Sequence, residues 1–251
     1  MADDLSQRKI AITGASSGIG EATALACAAA GAVVALGARR GERIEALARR
    51  IEDAGGTAVA IVVDVSDEAS ARAFIRGAHE QLGGLDALIN NAGVMLLGPV
   101  EDADTDDWRR MIEVNCLGLL YCTHAALGPM REGGGGHIVN VSSVAGRVAS
   151  PGSAVYNLTK WGVNGFSEGL RQEALHANIR VTLIEPGFVD TELQGHNAAK
   201  PLVMQATEHA REQIGDVLRA QDIAAAVVYA LSQPPHVSVN EVLVRPTGQS
   251  R

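Results

Sequence analysis

Aromatic residues are scarce in this chain, at 3 % of 251 positions. Its interior therefore has to be built from Ala, Val, Ile and Leu, which suits close packing of helices on a sheet. It also offers few platforms on which nucleic-acid bases stack. Positive charge is short as well: 21 Lys and Arg stand against 29 Asp and Glu, for a net charge of −8. Binding to nucleic acid needs a basic footprint, so no nucleic-acid partner is expected. Arg39, Arg40, Arg43, Arg49 and Arg50 do cluster, but acids are interleaved with them, and the last three read as a solvated helix face. Cysteine occurs three times, at Cys27, Cys116 and Cys122. An odd, sparse set without ligand spacing predicts free, packed thiols in a reducing, cytoplasmic setting. The histidines, His79, His124 and His176 among them, show no metal spacing either, so no metal is expected. No apolar run approaches the roughly 20 residues that a membrane helix needs. The N-terminal MADDLSQRK is polar and leads straight into a strand, so no signal peptide is expected.

What the chain does have is alternation. KIAIT, AVVALG, AVAIVV, DALIN, HIVNVS, IRVTLIE and VNEVLV read as strands, with helical patterns between most of them, as in 18–30, 41–54 and 67–82. Continuously apolar strands alternating with helices predict a parallel sheet covered on both faces. The expected fold is therefore α/β: a single Rossmann-type doubly wound domain over 1–251, with a seven-stranded parallel sheet and helices on both faces. GGGG at 133–136 reads as a loop into the fifth strand. The long stretch 190–218 is polar and mixed with no clear strand, and it is a candidate lid over a site.

The first strand runs into Thr13-Gly14-Ala15-Ser16-Ser17-Gly18-Ile19-Gly20, and a helix follows at once. Glycines let the backbone turn sharply and approach a pyrophosphate, and the helix N-terminus presents free amides and a positive dipole end to it. Taken alone, the same glycines would also suit a purely structural turn. Two further motifs stand downstream: Asn90-Asn91-Ala92-Gly93, and Tyr156 with Lys160 four residues later. Together the three resemble the short-chain dehydrogenase/reductase family over essentially the whole chain, and their joint order and spacing are highly specific to it.

The resemblance implies an NADP(H)-dependent oxidoreductase. Gly14, Ser16, Ser17, Gly18, Ile19 and Gly20 would form the phosphate turn. Asp64 and Val65 would contact the adenine, and Asn91, Ala92 and Gly93 would pass beneath the adenosine ribose, although Asn91 suits a purely structural role equally well. Pro186, Gly187, Val189 and Thr191 would wrap the nicotinamide. The ribose end of such a site distinguishes NAD from NADP by an acid or an arginine after the second strand. Here the strand ends Leu36-Gly37-Ala38-Arg39-Arg40, with no acid. A guanidinium pairs with phosphate bidentately, so Arg39, helped by Arg40, predicts NADP(H); a solvated helix start is the plain alternative.

Tyr156 and Lys160 share one helix face. A free tyrosine has a pKa of about 10, and a neighbouring ammonium favours the phenolate, so Lys160 is expected to lower it. Tyr156 would then donate a proton to a carbonyl oxygen while hydride reaches the carbon, with Lys160 also holding the nicotinamide ribose. Ser143, thirteen residues before Tyr156, falls at the family's interval for the serine that bonds the substrate oxygen. Ser142 is adjacent, and strand alternation points the two hydroxyls to opposite faces. Asn115 matches the family asparagine that holds a water against the lysine. Met95 and Leu96, after the fourth strand, are expected to form an apolar wall, and Arg147 to meet a substrate carboxylate.

The partner expected is thus a small carbonyl or alcohol substrate, with no membrane contact, in a homo-oligomer (dimer or tetramer) built on apolar positions in 111–128 and 161–175. Val94–Pro99 with EDADTDDW, Asp190–Leu193 with Gly195-His196, and Arg245-Pro246-Thr247 also resemble a narrower group, the clavulanate-dehydrogenase-like aldehyde reductases. The alternatives are a generalist 3-hydroxy acid or secondary alcohol dehydrogenase, and a non-catalytic NADP(H)-binding sensor. A nucleotide-sugar epimerase or dehydratase fits poorly, because too little chain follows Thr191 for a substrate domain.

Overall fold

In a computed structural model, residues 4–250 are described; Met1, Ala2 and Asp3 of the polar N-terminal segment, and Arg251, lie outside them. Six strands and their crossovers form the frame. They are β1 (Lys9–Thr13), β2 (Val33–Ala38), β3 (Thr57–Val62), β4 (Ala87–Asn90), β5 (Gly136–Val141) and β6 (Ile179–Pro186). Between them run α1 (Gly18–Ala29), α2 (Gly41–Asp53), α3 (Glu68–Leu82), α4 (Thr105–Ile112), α5 (Gly118–Glu132) and α6 (Ala154–Glu173). Two short strands, β7 (Val189–Asp190) and β8 (Leu218–Arg219), flank α7 (Pro201–Ile214), and α8 (Ala220–Ser232) leads to β9 (Glu241–Val244). The main sheet has seven strands in the order β3-β2-β1-β4-β5-β6-β9, and all its pairs are parallel.

The sheet's middle strands are buried on both faces, as their unbroken apolar runs require. One core, containing Ile10, Ile12, Leu36 and Ile89, packs under α1, α2 and α8. The other, with Phe74, Leu88, Met111, Met130 and Ile138, packs under α3, α5 and α6. The order reverses at β1, where the chain steps from β3 back across the sheet to β4. Such a switch point opens a crevice at the carboxyl ends of the strands, and six candidate site segments begin there: Gly14 after β1, Arg39 after β2, Asp64 after β3, Asn91 after β4, Ser143 after β5 and Gly187 after β6.

The stretch 190–218 is more regular than its mixed composition predicts. It is a 3-10 turn over 192–197 followed by α7, and the small parallel β7–β8 pair closes its base. None of the α7 residues is fully buried. Among the described residues, no helix is long and apolar enough to cross a membrane, and no cluster of His, Cys, Asp or Glu has the arrangement to hold a metal ion. All three cysteines are free thiols.

Candidate active site

The crevice is a cleft of about 1080 Å³. Gly14 and Gly18 take positive φ, +67° and +56°, which side-chain-bearing residues rarely adopt. A methyl group on Gly14 would also stand 2.8 Å from the Ala92 Cα. The turn can therefore be made only with bare backbone. It leads into α1, whose N-cap Ser17 forms no side-chain cap to the helix amides. Those amides have no side-chain acceptor, which suits an anionic phosphate. Asn91 stitches the turn to β4: its amide donates to the Thr13 carbonyl at 3.0 Å and the Gly14 carbonyl at 3.2 Å.

Of the residues expected to hold a dinucleotide, all line the cleft except Gly20. Gly20 sits behind the turn, where a Cβ would land on the Gly14 carbonyl and 2.5 Å from Asn91 Nδ2. It is a packing glycine. At the far end of the turn, Arg40 donates to Ser16 Oγ at 3.0 and 2.9 Å and to Ser17 Oγ at 2.7 Å, and pairs with Glu192 at 2.8 Å. Arg43 holds the other Glu192 oxygen at 2.7 Å, and the two guanidiniums lower that carboxyl to about 2. Arg39 lines the cleft at the same end. Burial would raise the Asp64 carboxyl, but bonds from the Ser66 hydroxyl and amide, with Arg39 and Arg110 nearby, hold it below its usual value. Burial, followed by Arg110, Arg39 and Arg40, lowers His196 despite Glu192. A cationic end with an unbonded arginine, beside a bare-backbone turn, fits a 2′-phosphorylated dinucleotide.

At the other end stand Ser143, Tyr156 and Lys160. One turn of α6 puts Lys160 Nζ 5.8 Å from the centre of the Tyr156 ring. Lys160, only 6 % exposed, donates to the Val141 carbonyl at 2.9 Å. Burial drives the Tyr156 phenol up to about 12, opposed by its hydrogen bond with Ser143. Burial also drives the Lys160 ammonium down to about 8. The expected lowering of the tyrosine by Lys160 does not appear: in a dry pocket desolvation acts against both charged forms, and at Tyr156 only the Ser143 hydrogen bond opposes it. The neighbouring hydroxyl, Ser142, is turned away to Asn164 Oδ1 at 2.5 Å, so the alternation separating it from Ser143 holds.

Asn115 does not line the cleft. It lies in a π-helical turn, 113–117, between α4 and α5, and its side chain brackets Val94, accepting from the amide at 2.8 Å and donating to the carbonyl at 2.9 Å. Two substrate expectations are overturned. Leu96 points into the core, while its neighbour Met95 faces the cleft, because an extended chain presents alternate residues to opposite sides. Arg147 is directed away from the cleft, with Nε 2.8 and 2.7 Å from the two oxygens of fully buried Glu185, and it also pairs with Glu241. A buried carboxylate needs a paired cation, and Arg147 is that cation.

Several residues escaped the reading of the sequence. Phe188, Leu202, Val203 and Ala206 line the cleft from the 188–210 segment. The apolar spacing of the last three within Pro201–Ile214 was the available signal. Asn197 accepts from the Leu97 amide at 2.8 Å and donates to the Met95 carbonyl at 2.9 Å. Lys200 reaches the Leu97 carbonyl at 3.0 Å and Asp107 at 2.6 Å. Together they latch the 192–200 stretch onto residues 95–97.

Residues 8–202 match the model of the short chain dehydrogenase family, and the chain belongs to that family. It is 41 % identical, over 99 % of both chains, to an uncharacterised oxidoreductase of Staphylococcus saprophyticus. Among solved structures it is similar to an alcohol dehydrogenase from the archaeon Thermococcus sibiricus complexed with 5-hydroxy-NADP. That match has a TM-score of 0.86 and 30 % identity over 97 % of this chain and 98 % of the other. It is also similar to the closed form of a serine dehydrogenase complexed with NADP+, with TM-score 0.87 and 32 % identity over 96 % of each chain.

Proposed function

We propose that this protein is an NADPH-dependent carbonyl reductase that interconverts a small aldehyde or ketone and its alcohol. The observation that carries the reading is the Ser143–Tyr156–Lys160 group at one end of a cleft whose other end carries Arg39, with Ala38 and no acid closing β2. Bound nicotinamide would supply or accept the hydride. Tyr156 gives its proton to the substrate oxygen in reduction and takes it back in oxidation, and a phenol held high in pKa is present in the donor form at neutral pH. Ser143, already bonded to Tyr156, fixes the same oxygen. Lys160 holds the ribose and resupplies the proton. The two NADP-bound neighbours support the cofactor choice, as does the absence of an acid at Ala38.

The 3-hydroxy acid alternative and the serine dehydrogenase likeness would both require a partner for a substrate carboxylate, and Arg147 is directed elsewhere. The narrower clavulanate-dehydrogenase-like reading keeps its aldehyde half, supported by Met95, Pro99 and Leu193 lining the cleft, but its carboxylate half has lost its contact. Against a non-catalytic sensor stands the intact hydroxyl pair. Homo-oligomerisation is supported by exposed Leu158 and Trp161 on α6, and the free thiols are in keeping with a cytoplasmic location.

The test is Tyr156→Phe. It should keep NADPH binding and lower turnover about a hundredfold or more, the range of general acid–base catalysis. In parallel, Arg39→Ala should weaken NADPH and leave NADH nearly unchanged. Near-normal turnover by Tyr156→Phe, or a wild-type preference for NADH, would refute the corresponding half.

A further inference from the structure

We infer that the substrate is an uncharged carbonyl compound with an apolar body, carrying neither carboxylate nor phosphate; the inference rests on the reductase reading above. Apart from Lys160, the charged groups that line the cleft are gathered at one end. Arg40 is bonded to Ser16, Ser17 and Glu192. Arg39 and Arg110 both act on Asp64, and with Arg40 they act on His196. These bonds and electrostatic influences group all six with the ends of β1, β2 and β3, the side where the phosphate turn lies.

The Tyr156 end has a different character. Met95, Leu97, Phe188, Leu202, Val203 and Ala206 line the same cleft from the segments that follow β4 and β6, the strands on either side of β5. Lys160 is the only Lys or Arg lining that end among the described residues. It is buried and donates to Val141. Two other cations lie within a few residues of the wall, and each is held by fixed acceptors. Arg147 is held by Glu185 and Glu241, and Lys200 by Asp107 and the Leu97 carbonyl. Two hydroxyls of the cleft are satisfied internally: Ser153 has the Ser150 carbonyl and Asn157 Oδ1 as alternative acceptors, and Thr207 donates to the Val203 carbonyl.

A carbonyl oxygen needs only the donors Tyr156 and Ser143. The rest of the substrate meets carbon. A carboxylate brought to this wall would lose its water without gaining a free cation, and an unpaired ion is poorly tolerated away from solvent. An ester or amide of the same shape escapes that penalty.

The experiment compares 4-formylphenylacetate with its methyl ester, using the purified full chain and NADPH at pH 7. The methylene group insulates the aldehyde from the change, so intrinsic reactivity is nearly matched. The ester should have a kcat/KM at least tenfold higher. Leu202→Arg places a guanidinium at the rim of the wall on an exposed lid position, and it should shift the ratio severalfold toward the carboxylate. Equal or better use of the carboxylate by the wild type overturns the inference while the oxidation of NADPH upholds the reductase reading. A ratio that Leu202→Arg does not move also counts against it. If neither aldehyde nor a broader set of neutral carbonyls oxidises NADPH, the reductase reading falls, and this inference with it.

Discussion

Replacing Lys160 with Met should stabilise the ligand-free protein while removing its activity. Burial lowers the ammonium from its ordinary 10.5 to about 8. At 1.36 kcal/mol per unit, keeping it charged in the folded state at pH 7 costs about 3 kcal/mol. Methionine fills a similar volume with no charge to desolvate. The change also removes the hydrogen bond to the Val141 carbonyl, a loss of about 1–2 kcal/mol. The net gain at pH 7 is therefore about 1–2 kcal/mol, and each kcal/mol raises Tm by roughly 2–4 °C in a chain of this size. The effect carries a pH signature. Between about 8 and 10.5 the unfolded lysine keeps its proton and the folded one has released it, so wild-type stability rises with pH there. The variant's advantage should be complete below pH 8 and should shrink steadily toward pH 10. Tyr156 adds an opposite slope above 10, because its folded value is raised to about 12, and both proteins share it; the comparison is best kept below that pH. Urea unfolding of both proteins at several values from pH 7 to 10, with NADPH oxidation measured alongside, reads both effects. A variant less stable than wild type at pH 7, or a difference that does not change with pH, would show that the lysine is not held at a desolvation cost.

Gly20→Ala should lower stability by about 1–3 kcal/mol, the range for overpacking, because its methyl would press on the Gly14 carbonyl, which is backbone and cannot rotate aside. NADPH titration should weaken in parallel, and an unchanged urea midpoint would contradict that packing role. In the expected lid, amide exchange should be fast across 201–214, where no residue is buried, and slow at the Leu97 amide, which Asn197 Oδ1 holds. NADPH with a neutral carbonyl should increase protection in 201–214, and Asn197→Ala should remove the slow class. Identical exchange with and without ligands would argue against a closing lid.

Much of the site was legible because the family's chemistry is written at short range. Glycine spacing in 13–20, the four-residue step from Tyr156 to Lys160 and the alternation that separates Ser143 from Ser142 are all consequences of local backbone geometry. Strand–helix alternation carried the seven-stranded parallel sheet in the same way, since buried parallel strands must be apolar on both faces. What the sequence could not supply were partners brought together from afar. Arg147 looked free until Glu185 and Glu241, 38 and 94 residues away, closed on it. Glu192 meets Arg40 across 152 residues, and Asn197 meets Met95 across 102. The protonation of Tyr156 and Lys160 was also decided only in three dimensions. Spacing shows that the two groups are neighbours, but their pKa values follow from how much water the rest of the fold excludes around them.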